Sequence, residues 1–265
     1  MRYPTQSRIR QQGYSIVELS VAVVIALFLL TGLFSILQGT RKTSTNQTAL
    51  AQLQDNERIA VMVMNDVIQE AGHYDNSASY VTAPTTQFPL ASPFVAGQVI
   101  AGDVNSNGSA YGESLTVRYS QDTTNTMLDC AGRTLGAIPT VNTMQFMVAP
   151  ITPSGQTTAV NTLECITNGG NPVPIVNNVN SITFWYGVAA GGATAVTNYV
   201  QAATLTANAG SGSHPDWTDV YSVKMTLVFP NPLAGQPGAT SAAAATLKFT
   251  RVVSIMGKNG VNNHP

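Results

Sequence analysis

Residues 13–37, GYSIVELSVAVVIALFLLTGLFSIL, decide how the chain is to be read. From Leu19 onward the run is apolar apart from Ser20, Thr31, Gly32 and Ser35, and a short segment carrying Arg2, Arg8 and Arg10 precedes it. A helix rises about 1.5 Å per residue, so roughly 24 residues reach about 36 Å, enough to cross a hydrocarbon core of about 30 Å. One residue does not fit an ordinary anchor: Glu18, near the polar end of the run. On insertion scales a carboxylate at mid-helix costs about 2.5–3.5 kcal/mol, less near the interface, and is kept mainly for a partner. Glu18 therefore calls for a cation. Cleavage after Gly13 would supply one, because Tyr14 would then carry a free α-amine four residues before Glu18.

Gly13, a bulky residue at Tyr14, apolar Ile16 and Val17, then Glu18 and a long apolar helix resemble the class III leader of type IV prepilins. The resemblance implies cleavage after Gly13 by a prepilin peptidase and N-methylation of Tyr14. It also implies that Glu18 sets vertical register by pairing with the N-terminal amine of a neighbouring subunit, so that both charges are satisfied in a dry helical core. The departure is Tyr14, where Phe or Met is more usual. A secretory signal peptide fits less well, because its apolar region is about 7–15 residues and ends in a small-x-small site that is missing here. A plain signal anchor has the right length but gives no reason for Gly13 and Glu18 at this spacing.

The chain has 265 residues, a net charge of -1 and only 9% charged residues, against about 25% in ordinary soluble domains. Thr, Asn, Ser and Gln take the places of Lys and Glu. Loss of the leader would remove three Arg and leave a mildly acidic protein, which argues against nucleic-acid binding through a basic face. Two cysteines, Cys130 and Cys165, lie beyond the span in turn-like surroundings. A pair is the minimum for a disulfide in an oxidising periplasm. Neither has a C-x-x-C neighbour and His73, His214 and His264 are scattered, so a metal site is not expected.

Taken in order, residues 1–13 are expected to be the leader, 14–38 the membrane and pilus-core helix, 39–72 the amphipathic second half of the same helix, and 73–265 a β-rich head. The positive-inside rule keeps the leader cytoplasmic, N-in and C-out, although Arg41 and Lys42 soften the asymmetry. Leu50, Leu53, Ala60, Val63, Val67 and Ala71 recur at helical spacings, and Gly72 follows as a C-cap. Beyond His73, period-two segments predict strands: Leu115, Val117 and Tyr119 alternating with Thr116 and Arg118; Ile182, Phe184 and Tyr186 with Thr183 and Trp185; Val223 to Phe229; and Leu247 to Ile255. Such alternation gives one buried and one wet or partner-facing side. Val95 to Ile100, Thr143 to Val148 and Tyr199 to Ala202 are weaker strand candidates. Asn76 to Pro93, Thr152 to Pro174 and Ala189 to Asn198 read as long connections, and the alanines at 242–245 as part of the last hairpin.

The segments before AGHY, then SLTVRYS, NSITFWYGV, DWTDVYSVKMTLVF and FTRVVSIMGKNG, resemble the PilW family of minor pilins, with the J-type minor pseudopilins of type II secretion as the nearest relatives. The resemblance implies an α+β, type IV pilin-like fold, a long N-terminal helix packed on a C-terminal antiparallel β-sheet head. It further implies a chain resident in the inner membrane before assembly and in the pilus at the cell surface afterwards. Implied partners are other minor pilins, the major pilin, the prepilin peptidase, the inner-membrane assembly platform and, in many members, a large tip adhesin. No cofactor follows from it. A minor pseudopilin of a type II secretion system and a tip-exposed adhesion module are the alternative functions compatible with the chain.

Asp103, Asn105, Asn107, Gly108 and Glu113 approach an EF-hand loop, but the glutamate arrives one residue early, and an Asn/Gly turn into the Leu115 strand accounts for the same residues. No hydrolase, metalloprotease or nucleotide-binding motif occurs, so no enzyme is expected. Trp185 and Trp217 are compatible with a ligand face, but core packing or a subunit interface is the expected use of both.

Overall fold

The computed structural model describes residues 13, 15–74, 84–103, 110–121, 128–135, 140–189, 195–234 and 245–256. Tyr14, Asn105, Asn107, Gly108 and the alanines at 242–244 lie outside these residues. The chain divides into two compact units, Met1–Leu50 and Ala51–Pro265. Helix α1 (Ile16–Gln69) carries the division within it.

In the first unit, every side chain of α1 from Ile16 to Leu37 is exposed, as the apolar run alone would dictate for a helix without a protein core around it. In the second unit, the helix buries Leu53, Ala60, Met64, Val67 and Ile68. These recur at the three- and four-residue steps that put side chains on one face. The helix ends as Gly72 adopts a φ of 77°, the left-handed C-cap conformation that costs glycine no Cβ clash. The chain then runs along the first sheet, where the Gly72 N–H donates to the Arg118 carbonyl (3.0 Å) and the Ser120 N–H to the His73 carbonyl (2.7 Å).

Two antiparallel sheets make up the head. The first has the order β1 (Ile100–Asp103), β2 (Ser114–Gln121), β3 (Thr140–Ile151), β4 (Val160–Thr167) and β5 (Val173–Asn177). The second has the order β7 (Asn198–Val200), β6 (Ser181–Val188), β8 (Val220–Pro230) and β9 (Thr246–Ser254). A four-residue helix, α2 (Pro84–Gln87), precedes the first sheet, and α3 (Ala202–Asn208) follows β7. Register aligns the apolar positions into rows. In the first sheet Leu115 opposes Phe146, which opposes Cys165. In the second, Ile182 opposes Leu227, which opposes Phe249, and Tyr186 opposes Val223, which opposes Val253. These rows and the helix face form one hydrophobic cluster. The fold is α+β, a long N-terminal helix whose second half packs on antiparallel sheets.

Four expectations are corrected. The connection expected from Thr152 to Pro174 contains all of β4. Thr162, Leu163, Glu164 and Cys165 are buried in succession, and a strand covered on both faces carries no period-two signature. For the same reason Cys165 sits in a strand rather than a turn. β5 holds Pro174, tolerated because β5 is a sheet edge. The strand expected at Tyr199 to Ala202 is cut short at Val200, where α3 begins. Of the segment Val95 to Ile100, only Ile100 is in β1, the rest being held in turns around Arg118. Thr143 to Val148, by contrast, lengthens to the twelve residues of β3.

Candidate functional site

The first unit holds the described residues of the leader motif and the apolar run. Gly13 is exposed ahead of the helix, and Ser15 accepts the Val17 N–H on its hydroxyl (3.4 Å), helping to cap the helix start. Hydroxyls inside the apolar run are turned back on their own helix: Ser20 Oγ donates to the Val17 carbonyl (2.8 Å) and Thr31 Oγ1 to the Leu27 carbonyl (2.8 Å). Thr40, Thr43, Thr45 and Thr48 repeat the pattern beyond it. Such bonds hide polar groups from hydrocarbon without a second chain. Glu18 has no such recourse. It lies exposed in the first turn of α1, favoured there by the helix dipole, and among the described residues no cation pairs with it. The helix is long and apolar enough to cross a membrane.

The head is built to stay closed. Cys130 and Cys165 form a disulfide with a Cα–Cα separation of 6.3 Å, tying the turn after residue 128 to β4. Beside it, Asp129 accepts the backbone N–H groups of Ala131 (2.9 Å) and Arg133 (2.8 Å) and pairs with the Arg133 guanidinium (2.8 Å). Burial alone would raise the Asp129 pKa, but the Arg133 and Ala131 donors outweigh it and hold the carboxyl below its ordinary value.

Arg118 was expected on the wet side of β2; it is instead buried, with 1% of its surface exposed. Its guanidinium donates to the carbonyls of Gln98, Pro89 (2.7 Å), Phe88 (3.1 Å) and Val95 (2.8 Å). The rings of Phe94 and Phe88 lie 4.6 Å and 5.4 Å from its Cζ. Burial lowers its pKa to about 10, so the group remains a cation at neutral pH, solvated by carbonyl dipoles and paired with no acid among the described residues. It clamps the segment between α2 and β1 onto β2. A single Arg within an alternating strand reads as solvent-facing, and nothing in the local pattern distinguishes it from one. From α1, Glu57 reaches Arg251 of β9 at 3.4 Å, a helix-to-sheet ion pair between residues 194 positions apart and equally invisible to local pattern.

Of the remaining candidates, Glu113 with its neighbour Gly112 serves the joint between the sheets, and His214 serves a local turn. Gly112 bridges in parallel to Ile182, and the Glu113 carboxylate accepts the Phe184 N–H at 2.6 Å. Burial raises the Glu113 pKa against the opposing effect of that hydrogen bond. Asp103 is the exposed last residue of β1. Trp217 is buried, edge-on to Tyr186 at 4.9 Å, while Trp185 stands on the outer side of the second sheet with 37% of its surface exposed. Before β8, Asp216 and Asp219 form a reciprocal capping box around a single 3-10 turn (Trp217–Asp219), and His214 Nδ1 lies 2.6 Å from Asp219. The D-W-T-D spacing is itself a capping-box signal that the sequence offered. The ligand atoms of these three residues lie within 4.8 Å of one another, but the contacts just given already engage them in the turn.

Residues 152–256 match the family model PilW, described as type IV pilus-assembly protein W. The match takes in β4 to β9 and α3, the part of the head that follows β3. No curated protein and no solved structure matches the chain.

Proposed function

From the PilW-family match in the head, which supports a type IV pilus-assembly protein, we propose that this chain is a minor pilin, cut after Gly13 and assembled through its N-terminal helix. The observation that carries the reading is the combination of that match with an apolar half-helix whose one acid is unpaired among the described residues. In the membrane, the apolar face exchanges lipid for neighbouring helices without a hydrophobic driving force, so specificity has to come from polar groups and packing. Glu18 is the group placed to provide it. A neighbour's α-amine at the same depth would neutralise both charges at once, and only one vertical register brings them together.

Processing would leave Tyr14 as the methylated first residue, and the mature chain would join a low-copy complex of minor pilins that primes the fibre at or near its tip. The membrane-resident form is a single pass with its head in the periplasm. Mass spectrometry of the native N-terminus tests the first step: a mature chain starting at Tyr14 supports it, and one that keeps the arginine-bearing prefix overturns it. Gly13→Arg should block cleavage. Glu18→Ala should leave insertion and cleavage intact but lower the amount of protein recovered in sheared fibres. Normal incorporation of that variant would remove the register role. Co-purification with secretion-system pseudopilins rather than pilins would reassign the complex while leaving its physics unchanged.

A further inference from the structure

We propose that the outer face of the second sheet is a docking platform for an acidic polysaccharide. The inference goes beyond the assembly role and does not depend on it.

The register defines the face. Opposite in parity to buried Ile182, Phe184 and Tyr186, one row across the sheet runs Trp185, Lys224 and Val252, the next Thr183, Thr226 and Thr250, and the next Ser181, Val228 and Lys248. On the other side of Trp185 the row is Tyr199, Gly187, Ser222 and Ser254. Gly187 is what lets this corner form. A Cβ there would stand 3.0 Å from Tyr199 Cε1 and 2.9 Å from Val196 Cγ1, so the tyrosine ring could not lie down on the sheet. Its hydroxyl meets Ser222 Oγ at 3.3 Å. Lys224 Nζ is then held 4.7 Å from the Tyr199 ring centre and 5.3 Å from that of Trp185. Ring quadrupoles orient a cation without discharging it.

Charge selects the occupant. The face carries Lys224 and Lys248, neither paired with a carboxylate among the described residues, and its strand positions hold no Asp or Glu. In a chain of net charge -1 this is a local positive surface. Four residues along β9 separate Lys248 from Val252, the neighbour of Lys224, which places the two lysine backbones roughly 14 Å apart. A polymer with repeated carboxylates spans that gap; a small acid does not. Around the lysines lie a half-exposed indole, suited to the C–H face of a sugar ring, and a ladder of hydroxyls, with Thr226 Oγ1 and Thr250 Oγ1 3.0 Å apart. A folded protein is the poorer fit, because interface cores are depleted in Lys and Ser, the residues that surround Trp185.

The test uses the full chain in detergent micelles, with binding read by calorimetry against polygalacturonate, neutral dextran and poly-L-glutamate. Polygalacturonate should bind, and dextran and poly-L-glutamate should bind about tenfold or more weakly. Lys224→Gln and Trp185→Ala should each weaken polygalacturonate binding about tenfold, and Lys224→Arg should retain it. Val252→Glu sets a carboxylate at a position already 55% exposed, where folding is little affected, and should weaken binding as much. The proposal is overturned if polygalacturonate fails to bind, if dextran binds equally, or if Val252→Glu leaves binding intact. Poly-L-glutamate binding as tightly as polygalacturonate also overturns it, by assigning the face to an acidic polypeptide. None of these results bears on fibre incorporation, so the two readings fail separately.

Discussion

From Ile16 to Leu37 the large apolar side chains of α1 all face outward, whereas from Leu53 to Ile68 the same helix buries its apolar face in the head. The first stretch turns Ser20 and Thr31 back on its own carbonyls but leaves Glu18 unpaired among the described residues and its apolar side chains uncovered; the head around the second has buried its apolar groups and enclosed polar ones with them, Arg118 and Glu164 among these. Burying one large aliphatic side chain contributes about 1.5–3 kcal/mol. For the head that energy is internal and can be disrupted by mutation within the chain. For the first half of α1 it depends on lipid or on other helices, so substitutions there should act on assembly and leave head stability alone.

The largest effect expected on the head is from Arg118→Met, which removes the cation and leaves four carbonyls, two of them buried, without their donor, at a cost of roughly 3–5 kcal/mol. Thermal unfolding of the full chain in detergent measures it. Lys should not rescue, since its three donors lack the fork that reaches Gln98, Pro89, Phe88 and Val95 together. Next is the disulfide, which closes a sequence separation of 35 residues. Cys130→Ser with Cys165→Ser should lower stability by about 3–4 kcal/mol in the loop-entropy model. Reductant should lower the unfolding midpoint of the parent and not that of the double variant.

Smaller effects depend on pH. Burial raises the Glu164 pKa, so the folded state favours its protonated form. The resulting penalty is present at neutral pH and disappears as pH falls through the folded value and below the unfolded one, about 4.3. Glu164→Gln should therefore stabilise the head at pH 7 and lose its advantage below pH about 4 in the same unfolding assay. The His214 pKa is raised by its hydrogen bond to Asp219 and by that carboxylate's charge. Its contribution is fully present below the unfolded value of about 6.5 and fades as pH rises through the folded one. His214→Gln should flatten that slope slightly, read from unfolding midpoints between pH 5 and 8. Smallest of all on the head is Glu18→Ala, for which no shift in head unfolding is expected even as fibre incorporation falls. A large shift would break the contrast between the two regions.

Where one residue's neighbours along the chain determine its surroundings, the sequence was sufficient. The apolar run and the single acid within it are read directly along the chain, the cap at Gly72 from glycine's tolerance of the left-handed region, and the helical face from Leu53 to Ala71 and the strands with one wet face from periods of 3.6 and 2. The cysteine pairing was legible because only two are present. Strand β4 was not, since burial on both faces erases alternation, and Arg118 was not, since its partners come from 20 to 30 residues upstream.

By itself, then, the sequence determined a membrane-length helix bearing an acid in need of a cation, and a β-rich head to follow it, because hydrophobic periodicity is written residue by residue. Only the tertiary structure decided the order of the two sheets, the burial of Arg118, the reach of Glu57 to Arg251 and the lysine held between Trp185 and Tyr199. Each of these depends on which strands become neighbours, and strand pairing is fixed by the packing of the whole core rather than by any local stretch.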